Sequence, residues 1–551
     1  MEEKIRKSVL AGLLEVSDGK TDFAFTVERS SSAAHGDYAV NAAMVSAKGL
    51  GMVPRELAEK LKGHLLKTLS DDIQSVEVAG PGFINITLSK DAVALAIAEA
   101  AAQGEDWGKG KIEGGKRVVV EYTDPNPFKE MHIGHLMSNV IGEAVARLTE
   151  NEGAHITRAN YQGDVGPHVA KALWALRKRG VTEPATAEEI GAAYTDGSRA
   201  YEEDASAEAE INALNTAIYA GDDHELMELW RKGRDVSLAA FEDIYRVLGT
   251  KFDYYFFESE TATPGLRIVE DGLAKGVFEE SDGAVIYRGE KKGLHTLVFV
   301  TGRGTPTYEA KDIGLAFLKE ERIQSDRSLI VTAAEQVGHF KVVLAALEEL
   351  APTIAQKTRH IPHGFLRLAS GKMSSREGNV ITAAGFLADV LRFASEKNPD
   401  PLIAEQVAVG AIKFMILRQA PGQDIVFDPE QSLSLEGDSG PYLQYALVRA
   451  VKILSYESES AGGTAEPAEP YAIERLVLHF PEVAARAARE LAPNLLMTYL
   501  LELAGEWNSF YAKEQVLGSP EEAYKQRVTR AFANTMANGL KLLGIPTPEK
   551  M

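Results

Sequence analysis

Apolar residues recur along this chain in two rhythms, one of helical spacing and one of short β-branched runs. In the first part, Glu3–Val16 has helical spacing and Thr21–Val27 reads as a strand. Pro54–Leu69 is a helix with proline near its first turn. Val76–Leu88 reads as two strands across the turn Gly80-Pro81-Gly82, and Asp91–Gln103 is an alanine-rich helix. The Gly- and charge-rich stretch Gly104–Lys116 marks a boundary, so residues 1–108 form a small α+β domain.

From Arg117 the pattern becomes strand, helix, strand: Val118–Glu121, Leu136–Glu150 and His155–Tyr161. It then gives way, from Val169 to about Lys292, to a mainly helical and acidic stretch whose longest pieces are Ala205–Ala220 and Asp223–Leu248. The α/β pattern resumes with a strand at Thr296–Thr301, a helix at Thr307–Glu320, a strand at Ser328–Ala333 and a helix at His339–Leu350. The simplest reading is one Rossmann-type parallel sheet over residues 116–400, its two halves separated by a helical insertion at 169–292. After Pro401 everything reads as helical: Tyr442–Tyr456, Tyr471–Leu491, Leu495–Lys513 and Pro520–Leu543, with a flexible loop at Ser460–Pro470. Residues 401–551 are therefore expected to be an all-α helical bundle.

Composition narrows this picture only a little. A chain of 551 residues suits about three domains. No cysteine is present, which excludes disulfides, thiolate zinc sites and cysteine nucleophiles, and fits a cytoplasmic setting. No secretory signal and no bilayer-spanning apolar run is evident, so no membrane role is expected. The net charge of −21 argues against nonspecific polyanion binding. A local basic groove stays open, because charges beyond about 10 Å are screened.

The chemistry gathers at Val118–Thr149. A β-branched strand ends in Glu121, a loop with two prolines follows, and His132-Ile133-Gly134-His135 opens a helix. Loop N–H groups and the positive end of a helix suit a phosphate. Gly134 would let a nucleotide approach the backbone. Two imidazoles could donate to ATP phosphates as charge builds on them, although a helix start with surface histidines would read the same. Much later in the chain, Gly371-Lys372-Met373-Ser374-Ser375-Arg376-Glu377-Gly378-Asn379 combines cations, hydroxyls and glycines. Alone it could be a charged turn. Both motifs at the ends of one nucleotide-binding fold are hard to reach by accident.

With these motifs the sequence resembles the class I aminoacyl-tRNA synthetases, and within them the arginyl-tRNA synthetases. The resemblance rests on VEYTDPNPFKEMHIGHLMSNVIGEAVARL, RANYQGDVG, PTYEAKDIGLAF, AEQVGHFK, SGPYLQYALVRAVKIL and GLKLLGIPTPEKM, and on HGDYAVNAAM and AGPGFINI near the start. It implies a ligase that uses ATP with Mg2+, and no zinc, to form arginyl-adenylate and pass the arginyl group to tRNA(Arg). The tRNA would be needed for the first step, and a cytoplasmic monomer is implied.

The resemblance also distributes roles. His132, Gly134, His135, Lys372, Met373, Ser374 and Ser375 would meet ATP. Glu121, Asn126, Tyr308, Asp312 and Gln336 match positions that hold arginine. A guanidinium offers only donors, so carboxylates suit it best, and Tyr308 and Asp312 share one helix face at i and i+4. Without the family, Tyr308/Asp312 would read as a surface helix pair, Glu121 as a strand-end acid with a local partner, and Gln336 as a helix cap.

Two departures stand out. Ser375 replaces the usual second lysine of the KMSKS loop, and Lys129, otherwise an ordinary exposed lysine, could compensate as a catalytic cation. Asp124 stands where many members have serine or alanine, and nothing in the sequence accounts for it. For tRNA, Phe83 and Asn85 match a D-loop contact, where an aromatic ring could stack a flipped base; a core strand phenylalanine is the plain alternative. Tyr445, Arg449 and Met551 match positions near the anticodon loop; helix core plus surface charge is the alternative there.

Other readings are weaker. A zinc-dependent cysteine enzyme lacks its cysteines, and editing enzymes for Ile, Val or Leu need a bigger insertion. Glutamate activation would want basic groups where Glu121 and Asp312 stand. A catalytically dead tRNA-binding homologue fits poorly with intact His132, His135 and Lys372. A small-molecule adenylyltransferase would not need the C-terminal helices.

Overall fold

The computed structural model describes the chain except for residues 18–21, 31–32, 369–380 and 457–462. The chain divides into two compact units, each assembled from separate stretches.

The first unit comprises Met1–Lys109, Tyr445–Arg486 and Tyr499–Gly539. Strands β1 (Val27–Arg29), β2 (Tyr38–Val40), β3 (Ile73–Ala79) and β4 (Phe83–Leu88) form an antiparallel sheet in the order β1-β2-β4-β3. Alternation on β4 buries Ile84, Ile86 and Leu88. Helices Glu2–Val16 and Pro54–Thr68 pack on each other through buried residues including Ile5, Val9, Leu57 and Leu61. The strand expected from Thr21 begins only at Val27. The Thr26 N–H donates to the Asn41 side chain at 2.8 Å, so ladder pairing starts one residue later. The helix expected over Tyr471–Leu491 is two helices, Ala472–Val477 and Phe480–Glu490. Pro481 has no N–H, and its ring would clash with the Val477 carbonyl in a continuous helix.

The second unit comprises Gly110–Gln444, Ala487–Thr498 and Leu540–Met551. Its strands are β5 (Arg117–Tyr122), β6 (His155–Gln162), β7 (Tyr254–Phe257), β8 (Glu279–Ser281), β9 (Ala284–Tyr287), β10 (Leu297–Val300), β11 (Arg327–Ala333), β12 (Thr358–His363), β13 (Leu366–Leu368) and β14 (Ile425–Phe427). Five of them make the parallel sheet, ordered β12-β11-β5-β6-β7. Central β5 is buried continuously from Val118 to Tyr122, as a strand covered on both faces must be.

Three expectations need correction here. The insertion is not only helical: β7 extends the parallel sheet from within it. The strand at Thr296–Thr301 lies outside that sheet, because β10 pairs antiparallel with β9 in a separate sheet β10-β9-β8. The short connection between β9 and β10 suits antiparallel pairing, whereas a parallel neighbour needs a longer crossover. The stretch after Pro401 is not all helix, since β14 pairs parallel with β13.

The chain leaves β5 toward β6 on one side and later places β11 on the other. The order therefore reverses between β5 and β11, and ligands gather at the carboxyl ends of strands at such a switch point. Glu121 and the loop after Tyr122 lie there, as do Glu335 and Gln336 after β11.

Candidate active site

The loop from Thr123 to Met131 is held in strained backbone. Thr123, Asp124 and Phe128 have φ of 81°, 49° and 67°. A β-branched residue at positive φ is a true outlier and persists only when its surroundings over-determine it. They do. The Thr123 N–H donates to Ser138 Oγ at 2.9 Å, and Asn139 Nδ2 donates to Thr123 Oγ1 at 3.0 Å. Ser138 Oγ in turn donates to the Val331 carbonyl on β11, and Asn139 accepts from Thr250. The Phe128 N–H reaches Ser237 on the insertion helix His224–Leu248. The left-handed region is one that aspartate tolerates well, and Asp124 Oδ1 accepts the Tyr161 N–H at 2.8 Å. This ties the loop to β6 and gives Asp124 a structural role that the sequence did not reveal.

His132 caps the helix Ile133–Asn151. Its Nδ1 accepts the Gly134 N–H at 3.1 Å, and His135 Nδ1 accepts the His132 N–H at 3.2 Å. Both rings therefore carry their proton on Nε2 when neutral. The rings stack at 3.7 Å. Burial, and for His135 also its neighbour His132, lowers both pKa values, that of His135 well below the ordinary value. Lys129 adds to both shifts. The result is a pair of neutral, preorganised N–H donors. A side chain at Gly134 would lie 2.9 Å from the His132 ring, so glycine is required by the ring as well as by any ligand.

Lys372, Met373, Ser374 and Ser375 lie outside the described residues. The chain just after them is anchored at the histidines. Ile133 N–H donates to the Ile381 carbonyl at 3.1 Å, and Ala383 N–H to the Met131 carbonyl at 2.7 Å. Lys129 lies with its ammonium 4.8 Å from the Tyr194 ring, on the insertion helix Ala187–Glu203.

On the other side of the loop is a cluster of carboxylates. Glu121 is buried and accepts from Lys319 Nζ at 2.7 Å. Its pKa is raised by burial, with Lys319 opposing and Asp312 adding to the shift. Glu258 pairs with Lys311 at 2.6 Å, also buried. Asp312, one turn after Tyr308 on the helix Tyr308–Ile323, meets His339 at 2.5 Å. Burial, Glu121 and Asp312 hold the Asp124 carboxyl well above its usual range. Tyr308 is exposed, and its ring lies 5.2 Å from the Lys311 ammonium. Asn126 is half-buried, and a Cβ at Gly163 would come within 2.2 Å of its Oδ1, so only glycine leaves Asn126 its place. Gln336 ends the turn that leads into the helix Val337–Leu350.

Glu121, Asp124 and Asp312 thus share one electrostatic environment, with Glu258 reached through Asp312. Sequence reasoning missed Lys319, Lys311 and His339, whose partners lie far away along the chain. An acid-rich site with internal counter-ions suits a cationic substrate. The histidine side suits developing phosphate charge.

In the first unit Phe83 opens β4 with its ring 40% exposed, unlike a core residue. Asn85 sits opposite Ala39 and Glu77. Arg449 lies over both Tyr445, at 5.1 Å, and Tyr511, at 4.1 Å, and donates to Asn508. Tyr511 and Asn508 were not visible as members of this cluster from sequence. Met551 belongs to the second unit and is half-buried.

Comparison with known proteins adds a family context. Residues 97–428 match the family described as tRNA synthetases class I (R), catalytic domain. Residues 443–551 match the DALR anticodon binding domain, and residues 3–88 the arginyl tRNA synthetase N terminal domain. The chain is 31% identical over 539 residues to the arginine--tRNA ligase of Clostridium beijerinckii, covering 94% of each. It is 32% identical over 540 residues to that of Fusobacterium nucleatum, covering 94% of this chain and 93% of the relative. Among solved structures it resembles Thermus thermophilus arginyl-tRNA synthetase, with a TM-score of 0.84, 28% identity and full coverage of both chains. The Plasmodium falciparum arginyl-tRNA synthetase shares the fold at a TM-score of 0.83 and 19% identity, covering 100% of this chain and 99% of that one.

Proposed function

We propose an assignment of residues from the premise that this chain belongs to the arginyl-tRNA synthetase family. The activity follows from the family: an ATP-dependent class I ligase that joins arginine to tRNA. The carboxylate of arginine attacks the α-phosphate of ATP, and pyrophosphate leaves. A ribose hydroxyl at the 3′ end of tRNA(Arg) then attacks the arginyl carbonyl, and AMP leaves.

In our assignment, the two ends of the Thr123–Met131 loop divide the substrates. Glu121, Asn126, Tyr308, Asp312 and Gln336 hold arginine, the two carboxylates taking the guanidinium. His132 and His135 donate from Nε2 to phosphate oxygens, where negative charge grows as the α-phosphate is attacked. Gly134 gives the nucleotide backbone access. Lys372, with Met373, Ser374 and Ser375, meets ATP, and Lys129 supplies a cation that Ser375 cannot. The carrying observation is the opposite chemistry at the two ends of one loop: buried carboxylates at one, paired neutral N–H donors at the other. The work is positioning and charge stabilisation rather than covalent catalysis.

The finer parts of the reading are also ours. Mg2+ enters as the ATP complex and neutralises phosphate charge. Phe83 and Asn85 receive the D-loop of tRNA. Tyr445 and Arg449, with Tyr511 beside them, and Met551 meet the anticodon loop. The first step requires tRNA, and the enzyme works as a cytoplasmic monomer. No helix among the described residues is long and apolar enough to cross a membrane.

Exchange of labelled pyrophosphate into ATP tests the reading, run with each of the twenty amino acids, with and without tRNA. Exchange with arginine alone, dependent on tRNA, is expected. No exchange with arginine, or equal exchange with lysine, overturns it.

A further inference from the structure

His339 lies in the first turn of the helix Val337–Leu350, three residues after Gln336. It faces the helix that carries Tyr308 and Asp312. Its Nε2 lies 2.5 Å from Asp312 Oδ2, and its Nδ1 lies 3.5 Å from Glu309 Oε1. Carboxylates only accept, so a ring that faces one on each side is an imidazolium. Burial alone would lower the pKa of His339, but hydrogen bonds to Asp312 and Glu309 raise it to about 10. Phe340 meets the His339 ring edge-on at 5.2 Å and stacks on His360 at 4.4 Å, which fixes the start of the helix.

We infer that His339 is a positioning residue for the amino-acid substrate: it pins one oxygen of Asp312 and leaves the other for the substrate guanidinium. The inference rests on the assignment of Asp312 to arginine. Asp312 shares its surroundings with Glu121, Asp124 and Glu258, and a lone carboxylate among acids would turn away from them. The imidazolium holds it aimed. It also fixes the spacing between two substrate-binding elements, the helix carrying Tyr308 and Asp312 and the turn carrying Gln336. A guanidinium needs acceptors in its own plane, around its forked edge and at fixed separation, so this spacing bears on discrimination against lysine. The contrasting role for a cation on that carboxylate is a placeholder that arginine must displace. It has the opposite kinetic sign.

The test is pyrophosphate exchange by the full-length enzyme with tRNA(Arg), varying arginine and ATP separately, for H339A and H339Q. H339A is expected to raise the KM for arginine about tenfold or more while the KM for ATP stays within about twofold. H339Q, whose amide still donates to Asp312, is expected to recover part of that loss. An arginine KM that is unchanged, or raised in parallel with the ATP KM, overturns the inference, and a lowered one establishes the placeholder. If H339A lacks a cooperative melting transition, H339Q decides alone, with an intermediate rise in arginine KM expected and a wild-type value overturning the inference. A wild-type enzyme that fails to exchange with arginine defeats the underlying assignment instead.

Discussion

The two ends of the loop after β5 handle charge in opposite ways. At the end we assign to the amino acid, Glu121, Glu258 and Asp312 each have an internal cation, in Lys319, Lys311 and His339. At the end we assign to ATP, the rings of His132 and His135 stack, and each satisfies a backbone N–H. The difference matches what each end must recognise. Arginine arrives with its charge in place, so on this assignment its carboxylates must be held rigidly beforehand. The charge on ATP grows during reaction, so its site needs fixed dipoles that strengthen only as the transition state forms.

The strongest way to break this contrast is His135→Ala. It removes one donor that acts in the transition state and one cap of the helix. The expected loss is about 100- to 1000-fold in kcat for adenylate formation, the usual scale for one such donor. The KM for arginine should hardly move, as rapid-quench measurement at varied arginine would show. A rise in arginine KM with little change in rate would mean that the two ends are not separate.

Asp312→Ala attacks the other end. Asp312 is half-buried, so removing it from its charge pair and from the substrate should cost about 2 kcal/mol, and the KM for arginine should rise about thirtyfold. The ATP KM should stay near its wild-type value. The variant also leaves His339 facing Glu309 alone, so part of the loss is misplacement of Gln336. Equal effects on both KM values would mean that Asp312 has been misassigned.

These two ends differ in how far the sequence exposed them. The histidine cluster was legible, because its parts are adjacent: His132, Gly134 and His135 lie in four residues, and the strand before them reaches Glu121. The counter-ions of the other end were not legible. Lys319 reads as an ordinary lysine near the end of an amphipathic helix, and its carboxylate lies on β5, far upstream. His339 reads as a polar residue in a first helical turn, and its partners sit on another helix. Periodicity reports which face is buried and never what meets it. The same limit explains the sheet. Leu297–Val300 is plainly a strand, but an apolar run of four residues does not say whether its neighbour is parallel or antiparallel. Tyr254–Phe257 is an aromatic run within a helical stretch, and only its pairing with β6 makes it a strand. Strain at Thr123 and Asp124 is likewise invisible without the backbone.

Lys129 lies between the two ends, and the effect expected there is the smallest. In the structure its ammonium rests on the Tyr194 ring, yet its field reaches both histidines and lowers their pKa values. Lys129→Met keeps the aliphatic stem and removes the charge. Adenylate formation should slow about tenfold, the scale of one partly exposed cation acting on developing phosphate charge. The arginine KM and tRNA affinity should stay within about twofold. The charge has a second effect whose sign can be worked out. A lowered pKa keeps each ring neutral to a lower pH, and loss of the nearby cation raises that pKa. Protonation would then begin at a higher pH and would occupy Nδ1, which the backbone N–H groups of Gly134 and His132 need as acceptor. The acid limb of the pH–rate profile should therefore move to higher pH in the variant. A slower rate with an unmoved acid limb would leave Lys129 as a phosphate-binding cation only. An unchanged single-turnover rate would remove it from the chemistry and leave the end assigned to ATP to the histidines and Lys372.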